Sequence, residues 1–368
     1  MRLVRGSESW EIWHEGTQVR LDGGALRRFQ NVRQARAAYE AAIAARRDDG
    51  FVDAPDVVDD LDARLVYADE LQLKGDPLGE LIAVQHALAH QRTGKLPVQI
   101  RRLERRVHAL LEDHHDALFG SLASFVRRPS RSTPARPALQ ITWRSGFADE
   151  VRIQRAPKLE LHDLWSQLRK LPISRFMTKL VVGSPTLPSP YLEQGSYRQL
   201  LSTIAKDGAP AHLRTLVLAD IPLAQRVSLD LGDLRPVVES CLDLQHLEVK
   251  RGMGILGPLV STSLQRLVLE NIAEPLRDVP RSSLPALSEL SVINGYGTVL
   301  LRLLLEVPLL DQLSALTLRR CHLQDPDLDS IRADADRFGH LTRLDLRDND
   351  FSRDAVRQAR LRLPRLKA

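Results

Sequence analysis

The chain has 368 residues, of which 52 are Lys or Arg and 47 are Asp or Glu, and 43% of its residues are hydrophobic. This length allows two or three domains, and the hydrophobic content is ordinary for a soluble globular protein, so the composition does not require disorder. The small positive excess does not by itself indicate nucleic-acid binding. The N-terminal residues carry charges and tryptophans instead of a secretory signal, and Cys241 and Cys321 fit neither a disulfide framework nor a zinc site. We therefore expect a cytoplasmic protein.

Residues 1–54 are predicted to form a small α+β module. Residues 10–19 alternate around a Glu15-Gly16 turn, which indicates a β-hairpin. A helix is predicted from about Asn31 to Arg47, with Asn31 and Gln34 forming a capping box. The helix face expected to pack on the hairpin consists of Val32, Ala35, Tyr39 and Ile43.

This module resembles the WGR domain, which occurs in poly(ADP-ribose) polymerases and in many bacterial proteins. The similar stretches are Trp10-Glu11-Ile12-Trp13, Glu15-Gly16-Thr17-Gln18-Val19, Phe29 and Gly50-Phe51-Val52-Asp53-Ala54. The Trp-Gly-Arg tripeptide is missing and the following loop is reduced to Leu21-Asp22-Gly23-Gly24-Ala25, so the module is a degenerate one. In the polymerases the domain helps to contact DNA, and the resemblance implies nucleic-acid binding as an alternative function.

Residues 55–153 are predicted to form a mainly helical domain of three helices, followed by a loop over residues 127–137. Leu61, Leu65 and Ala68 line the first helix. Asp76 is expected to cap the second helix, with Pro77 at its first position. The inner faces of the second and third helices are Leu78, Leu81, Ile82, Gln85 and Leu88, and Ile100, Leu103, Val107 and Leu110.

Three stretches of this domain are similar to the bacterial repeat-companion domain, which typically accompanies leucine-rich repeats. They are Ala63-Arg64-Leu65-Val66-Tyr67-Ala68-Asp69-Glu70-Leu71, Lys74-Gly75-Asp76-Pro77-Leu78-Gly79-Glu80-Leu81-Ile82 and Trp143-Arg144-Ser145-Gly146-Phe147-Ala148-Asp149-Glu150-Val151. The third is similar to the strand that leads into the repeats in that family. The family has no established enzymatic activity, so the resemblance implies an architecture rather than a reaction.

Six runs within residues 154–368 place Leu or Val at their first, fourth and sixth positions, and their starts lie 20 to 31 residues apart. The runs are Leu213-Leu216-Leu218, Leu244-Leu247-Val249, Leu264-Leu267-Leu269, Leu287-Leu290-Val292, Leu313-Leu316-Leu318 and Leu341-Leu344-Leu346. Met177, Leu180 and Val182 keep the same spacing in a weaker copy. This is the signature of leucine-rich repeats, whose strands stack into a solenoid with one exposed parallel sheet.

Helices are predicted between the strands, at Leu229 to Glu239 and at Gly297 to Leu305, where they would cover the convex side of the solenoid. Asn349, at the ninth position of the last copy, is expected to bond turn backbone groups, and Cys321 takes that place in the copy before. The ninth residues of the other copies are Ile221, Gly252, Ile272 and Gly295, so we expect no continuous polar ladder. The fold class predicted is α/β, an irregular solenoid preceded by the companion domain and the WGR-like module.

No residue pattern indicates catalysis, a cofactor or a metal site, and we expect a protein that is not an enzyme. His86 and His90 lie four apart on a helix but lack the glutamate of metalloproteases. The cluster of Glu112, Asp113, His114, His115 and Asp116 is interpreted as a helix end. The carboxylates Asp69, Glu70, Asp76 and Glu80 are interpreted as structural, with Asp76 as a cap and Glu80 favoured by the helix dipole.

The predicted binding site is the outward face of the parallel sheet, because side chains at the third, fifth and seventh positions of each copy point away from the core. Both charge signs occur there with apolar groups between them, which suits a protein partner. The residues expected to contact the partner are His246, Glu248, Lys250, Arg266, Val268, Glu270, Glu289, Ile293, Arg319, Arg343, Asp345 and Arg347. A solvated sheet with internal ion pairs is one alternative.

A nucleic-acid-binding protein is the other alternative. Four arginines form a stripe on the polar face of the third predicted helix, and such a stripe could follow phosphate groups. They are Arg101, Arg102, Arg105 and Arg106.

Overall fold

The computed structural model describes residues 2–5, 8–15, 18–21, 26–48, 52–53, 61–91, 97–128, 137–187, 189, 191–210, 212–222, 227–272 and 276–368. Over these residues the protein is an α/β fold with thirteen α-helices and a large, mostly parallel sheet. Residue contacts divide the chain into two compact units. Unit 1 is Met1–Leu180 with Thr203–Leu213, and unit 2 is Val181–Ser202 with Arg214–Ala368.

Unit 1 begins with a five-stranded sheet and one helix. The elements are β1 (Arg2–Arg5), β2 (Glu8–Glu15), β3 (Gln18–Leu21), β4 (Leu26–Arg28), α1 (Val32–Asp48) and β5 (Val52–Asp53). The strand order is β4-β3-β2-β1-β5, and β2 pairs antiparallel with β3 so that Glu15 lies opposite Gln18. The predicted hairpin is therefore confirmed, while its turn at residues 16–17 and the predicted closing residues Gly50 and Phe51 lie outside the described residues.

Helix α1 starts at a side-chain cap and packs on the hairpin as predicted. Asn31 Oδ1 accepts a 2.9 Å hydrogen bond from the backbone N–H of Gln34. The side chain of Gln34 accepts from the backbone N–H of Gln30 at 3.3 Å, so the reciprocal bond goes to the residue before the expected one. The buried cluster consists of Ile12, Val19, Ala35 and Ile43, with Phe29, Tyr39 and Ala42 against it. The side chain of Val32 lies outside the description.

Four further helices of unit 1 surround a second core. They are α2 (Leu61–Leu73), α3 (Pro77–Gln91), α4 (Pro97–Asp113) and α5 (His115–Phe119), and a 3-10 turn follows at Gly120–Phe125. Asp76 caps α3 as predicted, because its Oδ1 accepts a 2.9 Å hydrogen bond from the N–H of Leu78. The core includes Ala68, Leu78, Leu81, Ile82 and Leu110 from the predicted inner faces. The middle of the predicted loop, residues 129–136, lies outside the described residues.

A tight hairpin packs on α3 within unit 1. Its strands are β6 (Leu139–Arg144) and β7 (Phe147–Ile153), and helix α6 (Leu161–Leu168) follows. The segment similar to a single family strand is thus two antiparallel strands joined at Ser145 and Gly146, whose φ values of 48° and 82° suit a primed two-residue turn. The side chain of Gln85 accepts a buried 2.8 Å hydrogen bond from the N–H of Gly146. A Cβ at Gly146 would lie 2.2 Å from Cγ1 of Ile82, so only glycine fits there.

Unit 2 carries the repeated strands. The elements from residue 179 onward are β8 (Lys179–Val182), β9 (Glu193–Ser196), α7 (Arg198–Asp207), β10 (Thr215–Leu218), β11 (Val227–Asp233), α8 (Arg235–Ser240), β12 (His246–Val249), β13 (Met253–Ile255), β14 (Arg266–Glu270), β15 (Glu289–Ile293), α9 (Gly297–Glu306), α10 (Leu309–Gln312), β16 (Ala315–Arg319), α11 (Asp325–Ala333), α12 (Ala335–Phe338), β17 (Arg343–Asp345), α13 (Arg353–Arg362) and β18 (Leu366–Lys367). Elements β8 and α7 contain residues of both units. Seven strands of unit 2 form a sheet in the order β18-β17-β16-β15-β14-β12-β10, with each described pair parallel.

The repeated leucines and valines form the core below this sheet. The first, fourth and sixth residues of all six predicted copies are at most 2% exposed, as the spacing predicts. Met177, Leu180 and Val182 of the weaker copy are also fully buried. Every strand that the pattern predicts is therefore present.

One predicted helix is wrong. Residues Leu229 to Asp233 belong to strand β11, which pairs parallel with β9 and β13 in a separate three-stranded sheet, and helix α8 starts only at Arg235. Leu229 and Leu231 are buried and alternate with the partly exposed Ser228 and Asp230, which is the two-residue period of a strand. The second predicted helix is confirmed as α9 (Gly297–Glu306).

Candidate binding surface on the parallel sheet

The repeated strands pair position for position, which arranges their outward side chains in three rows. Arg266 on β14 lies opposite His246 on β12 and Glu289 on β15, and the register stays the same to β17. The third-position row is Thr215, His246, Arg266, Glu289, Ala315 and Arg343. The fifth-position row is Val217, Glu248, Val268, Ser291, Thr317 and Asp345. The seventh-position row is Ala219, Lys250, Glu270, Ile293, Arg319 and Arg347.

The fifth-position row forms the floor of this surface. Val217 and Val268 are only 4% and 7% exposed, and Ser291, Thr317 and Asp345 are 6 to 7% exposed. The charged side chains of the flanking rows are longer than these five residues and are more exposed, whereas Glu248 is the partly exposed member of the floor row. Val268, a predicted contact residue, thus offers little open apolar area, whereas Ile293 in the next row is half-buried.

A glutamate bracketed by two arginines lies in the third-position row. Glu289 Oε2 accepts a 3.2 Å hydrogen bond from Arg343 Nη2 and lies 3.5 Å from Arg266 Nε. Arg343 reaches this carboxylate across the intervening strand, where Ala315 presents only a methyl group. The two arginines predicted to contact a partner are therefore brought together around a carboxylate of the protein itself.

The N-terminal part of the face holds a second charge cluster. Lys250 Nζ lies 2.6 Å from an oxygen of Asp220 and 3.8 Å from Glu248, and Glu248 lies 3.9 Å from His246. Asp220 follows strand β10 and is not among the predicted contact residues. Glu270 makes no ion pair with another residue that the structure describes.

Paired charges also cover the C-terminal corner. Arg347 bonds both oxygens of Asp345, at 2.9 and 2.7 Å, and Arg319 Nη2 donates to Asp348 at 2.7 Å. Arg320 lies 3.6 Å from the same Asp348. The hydrogen bonds from Arg347 lower the pKa of Asp345, and those from Arg319 lower the pKa of Asp348. Both carboxylates are thus held ionised by their arginines.

The turns after the strands supply residues that the sequence reasoning missed. Asn271, Asn294, Arg320 and Asp348 occupy the eighth position of consecutive copies, and all have positive φ values between 52° and 63°. The chain therefore turns sharply where each strand ends. Two of the four are Asn and one is Asp, residue types that adopt this conformation more readily than most, and that recurrence is a usable signal.

The two predicted turn-bonding residues act in the same way. Asn349 Nδ2 donates to the carbonyl oxygens of Leu318 and Leu346, both at 2.7 Å. The Cys321 thiol donates to the carbonyl of Val292 at 3.4 Å, the corresponding position one copy earlier. Contact between side-chain amides of neighbouring copies occurs at the eighth position instead of the ninth, where Asn294 Nδ2 donates to Asn271 Oδ1 at 2.5 Å.

Both cysteines are buried free thiols, as expected for core residues. Burial raises the pKa of Cys241 to about 12 and that of Cys321 to about 11, so neither is a ready nucleophile. No three metal-ligating side chains cluster among the residues that the structure describes. His86 is half-buried on α3, and the side chain of His90 falls outside the description.

The other predicted polar cluster lies at the start of α5. His115 is 1% exposed and its nearest carboxylate, Asp116, is 3.6 Å from Nδ1, beyond hydrogen-bonding distance. Burial is the main cause of a lowered pKa at His115, and the nearby Arg128 adds to it. The side chain packs edge-on to Phe119 at 4.8 Å. This geometry is that of a neutral core histidine.

The arginine stripe of α4 is only partly open. Arg106 binds Glu80 of α3 through Nε at 2.8 Å and Nη2 at 2.5 Å. Glu80 is therefore an ion-pair partner as well as a first-turn carboxylate. Arg101, Arg102 and Arg105 are exposed, and Arg105 Nε donates to the backbone oxygen of Arg101 at 3.3 Å.

Comparison with known proteins adds little to this geometry. No protein-family model matches the chain, and no curated protein is significantly similar to it. It is similar to the crystal structure of a protein from Bacteroides fragilis, with a TM-score of 0.42 and 14% sequence identity over 100% of this chain and 95% of that chain. Within the described residues, no helix has both the length and the apolar character that a bilayer span needs.

Proposed function

We propose that this protein is a non-enzymatic bacterial scaffold that binds another protein on the outward face of its parallel sheet, in the cytoplasm. The observation that carries the proposal is the constant register of the repeated strands, which keeps three rows of side chains on one continuous face. Such a face is broad and rigid, with charged rims around a covered floor. Charged groups of this kind set orientation and specificity in protein interfaces.

The architecture within this proposal is an irregular leucine-rich-repeat solenoid, preceded by a repeat-companion domain and a degenerate WGR-like module. The buried first, fourth and sixth residues and the regular parallel pairing support the solenoid. The antiparallel hairpin with its packed helix supports a small α+β module at the N-terminus. The proposed limits are residues 1–54, 55–153 and 154–368.

The test is affinity capture from a native lysate with the purified protein, with and without nuclease, at low and moderate salt. The proposal expects a protein to be retained in every condition. A variant with Arg266→Glu and Arg343→Glu should lose it, because both sites would then repel acidic groups of the partner. Retention by the folded variant would refute the choice of surface.

That double variant also places two new carboxylates beside Glu289 and is expected to lower stability. Adding Glu289→Arg to the double variant places an arginine between the two new glutamates. The cluster then contains opposite charges again, but every charge has the opposite sign from the wild-type protein. The triple variant should therefore regain stability and still fail to bind. Arg302→Glu with Arg357→Glu, two exposed arginines on helices α9 and α13, is the matched control for total charge.

Nucleic-acid binding is the second candidate, favoured by the three exposed arginines on α4. It predicts an affinity that falls steeply with salt. Replacing Arg101, Arg102 and Arg105 by Gln should then weaken binding to all nucleic-acid sequences alike. The slope of the logarithm of the binding constant against the logarithm of salt concentration should become shallower by about one for each phosphate group that is no longer neutralised. Capture that disappears on nuclease treatment would favour this function over the scaffold.

A further inference from the structure

The C-terminal half of the sheet face contains hydrogen-bond donors that the protein does not use. Among the described residues, the guanidinium groups of Arg343 and Arg319 make one hydrogen bond each, to Glu289 and to Asp348. A guanidinium has five N–H donors, so most of each group is unused. The Nε atoms of both arginines are buried without a hydrogen-bond partner, which is unfavourable in the free protein.

Two hydroxyl groups lie on the floor between these arginines. Ser291 and Thr317 are direct neighbours on the parallel strands β15 and β16, which places their backbones about 4.8 Å apart. Neither hydroxyl hydrogen bonds to another described residue. Arg343 stands on the strand next to Thr317, and Arg319 follows Thr317 by two residues on the same face.

We infer that this patch, defined as Ser291, Thr317, Arg319 and Arg343, binds a side-chain carboxylate in an acidic segment of the protein partner. The inference rests on the proposed function and specifies the partner's chemistry. Two half-exposed guanidiniums with unused donors and two hydroxyls are the groups that recognise a carboxylate. Binding would let both arginines re-aim and satisfy N–H groups that have no partner in the free protein.

The surrounding carboxylates favour a carboxylate over a doubly charged phosphate group. Glu289, Asp345 and Asp348 lie within or beside the patch, and each is already matched by an arginine. A single added negative charge is tolerated in such a balanced cluster, whereas the phosphate monoester dianion of a phosphorylated side chain meets more repulsion. The ligand is therefore expected to be Glu or Asp in a peptide and not a phosphorylated residue. A nucleic-acid phosphodiester carries one charge, as a carboxylate does, and the oligothymidylate probe distinguishes that ligand by measurement.

Glu289 competes with the partner in this arrangement. It holds Arg343 and Arg266 in the free protein, so a bound carboxylate must share or displace it. Glu289→Gln removes the competing charge and keeps the side-chain shape. This substitution should tighten binding of an acidic peptide more than Glu270→Gln does, because both remove one negative charge from the face but only Glu289 occupies N–H groups of Arg343.

The test uses fluorescence anisotropy at low ionic strength, with a fluorescein-labelled hexaglutamate peptide as the probe. Wild-type protein should bind it saturably, and Arg319→Gln with Arg343→Gln should weaken binding by about tenfold or more, because two guanidiniums that form charge-assisted hydrogen bonds are removed. Glu289→Gln should bind more tightly than wild type. The matched variant Arg302→Gln with Arg357→Gln has the same total charge as the test variant and should bind like wild type.

Three outcomes would overturn the inference. They are the absence of saturable binding, an equal loss of affinity in the matched variant, and tighter binding of an oligothymidylate probe than of hexaglutamate at the same arginines. A captured protein that depends on Arg266 and Arg343 but is not displaced by hexaglutamate would leave the proposed function standing and refute only the acidic segment. Failure of both capture and hexaglutamate binding would remove the proposed function as well.

Discussion

The side chain of Asn349 is expected to hold together two consecutive turns of unit 2. Its Oδ1 accepts hydrogen bonds from the N–H groups of Cys321, at 2.7 Å, and Leu323, at 3.3 Å. Its Nδ2 donates to the carbonyl oxygens of Leu318 and Leu346, both at 2.7 Å. Asn349→Ala removes all four bonds at once and leaves four backbone groups without this partner. The change deletes no apolar packing atoms, so its cost reports hydrogen bonding.

A typical hydrogen bond contributes about 1 kcal/mol net, and water can replace part of that contribution at a half-buried site, so we expect a destabilisation of about 2–4 kcal/mol. Asn294→Gly is the control, because Gly adopts the φ of 54° at this position without strain and the exposed Asn294 amide donates only one hydrogen bond, to Asn271; it should cost less than about 1 kcal/mol. Urea unfolding would measure both changes. Hydrogen exchange of the peptide containing Cys321 and Leu323 would report the local effect. Equal costs for the two variants would refute the role assigned to Asn349.

The remaining predictions concern unit 1. Gly146→Ala should destabilise it by about 3 kcal/mol or more, because the new methyl group meets Ile82 at a positive φ. Gly75→Ala, also at positive φ but with open space around it, should cost only about 1 kcal/mol in the same thermal unfolding assay. At His115, burial lowers the pKa in the folded state below the ordinary value of 6.5, so the unfolded chain binds the proton first. Its contribution to stability should be complete above pH 6.5 and be lost as the pH falls below that value. In unfolding measured against pH, His115→Gln should flatten this dependence, and a profile unchanged from that of the wild-type protein would contradict the assignment.

The repeated strands are predictable because their spacing leaves few alternatives. A residue triplet at positions one, four and six cannot be buried by a single strand, and the hydrophobic effect then favours stacking of equivalent copies. All eighteen of these positions are at most 2% exposed. Strand β18 (Leu366–Lys367) escapes the pattern because it has only two residues and no full triplet.

Strand β11 lies where the sequence predicts the start of a helix. Its leucines alternate with Ser228 and Asp230, although the segment from Leu229 to Glu239 is predicted to be a helix on the convex side. The local two-residue period is the better guide, and pairing with β9 and β13 satisfies its backbone. The packing of Gly146 against Ile82 has no such signal, because it depends on residues 64 positions apart in the chain.

On the charged face, the outward residues can be predicted from the sequence more easily than the ion pairs that they form. Alternation along each strand determines which side chains face outward, but not which of them pair. Parallel strands lie about 4.8 Å apart, so like charges at one position on neighbouring strands repel. Arg343 and Arg266 lie three strands apart and both reach Glu289, Arg343 across Ala315, a pairing that depends on side-chain length and not on the pattern.

This internal pairing has a consequence for recognition. In the proposed complex, a partner's carboxylate would not meet free arginines but would have to compete with Glu289 and Asp348, which already satisfy one N–H group each. The competition lowers affinity for any single acidic group and favours partners whose several charges match the face at once. Glu289→Gln should therefore increase affinity for short acidic peptides and reduce discrimination among them. A gain in affinity without a decrease in discrimination would mean that Glu289 is not the competing group.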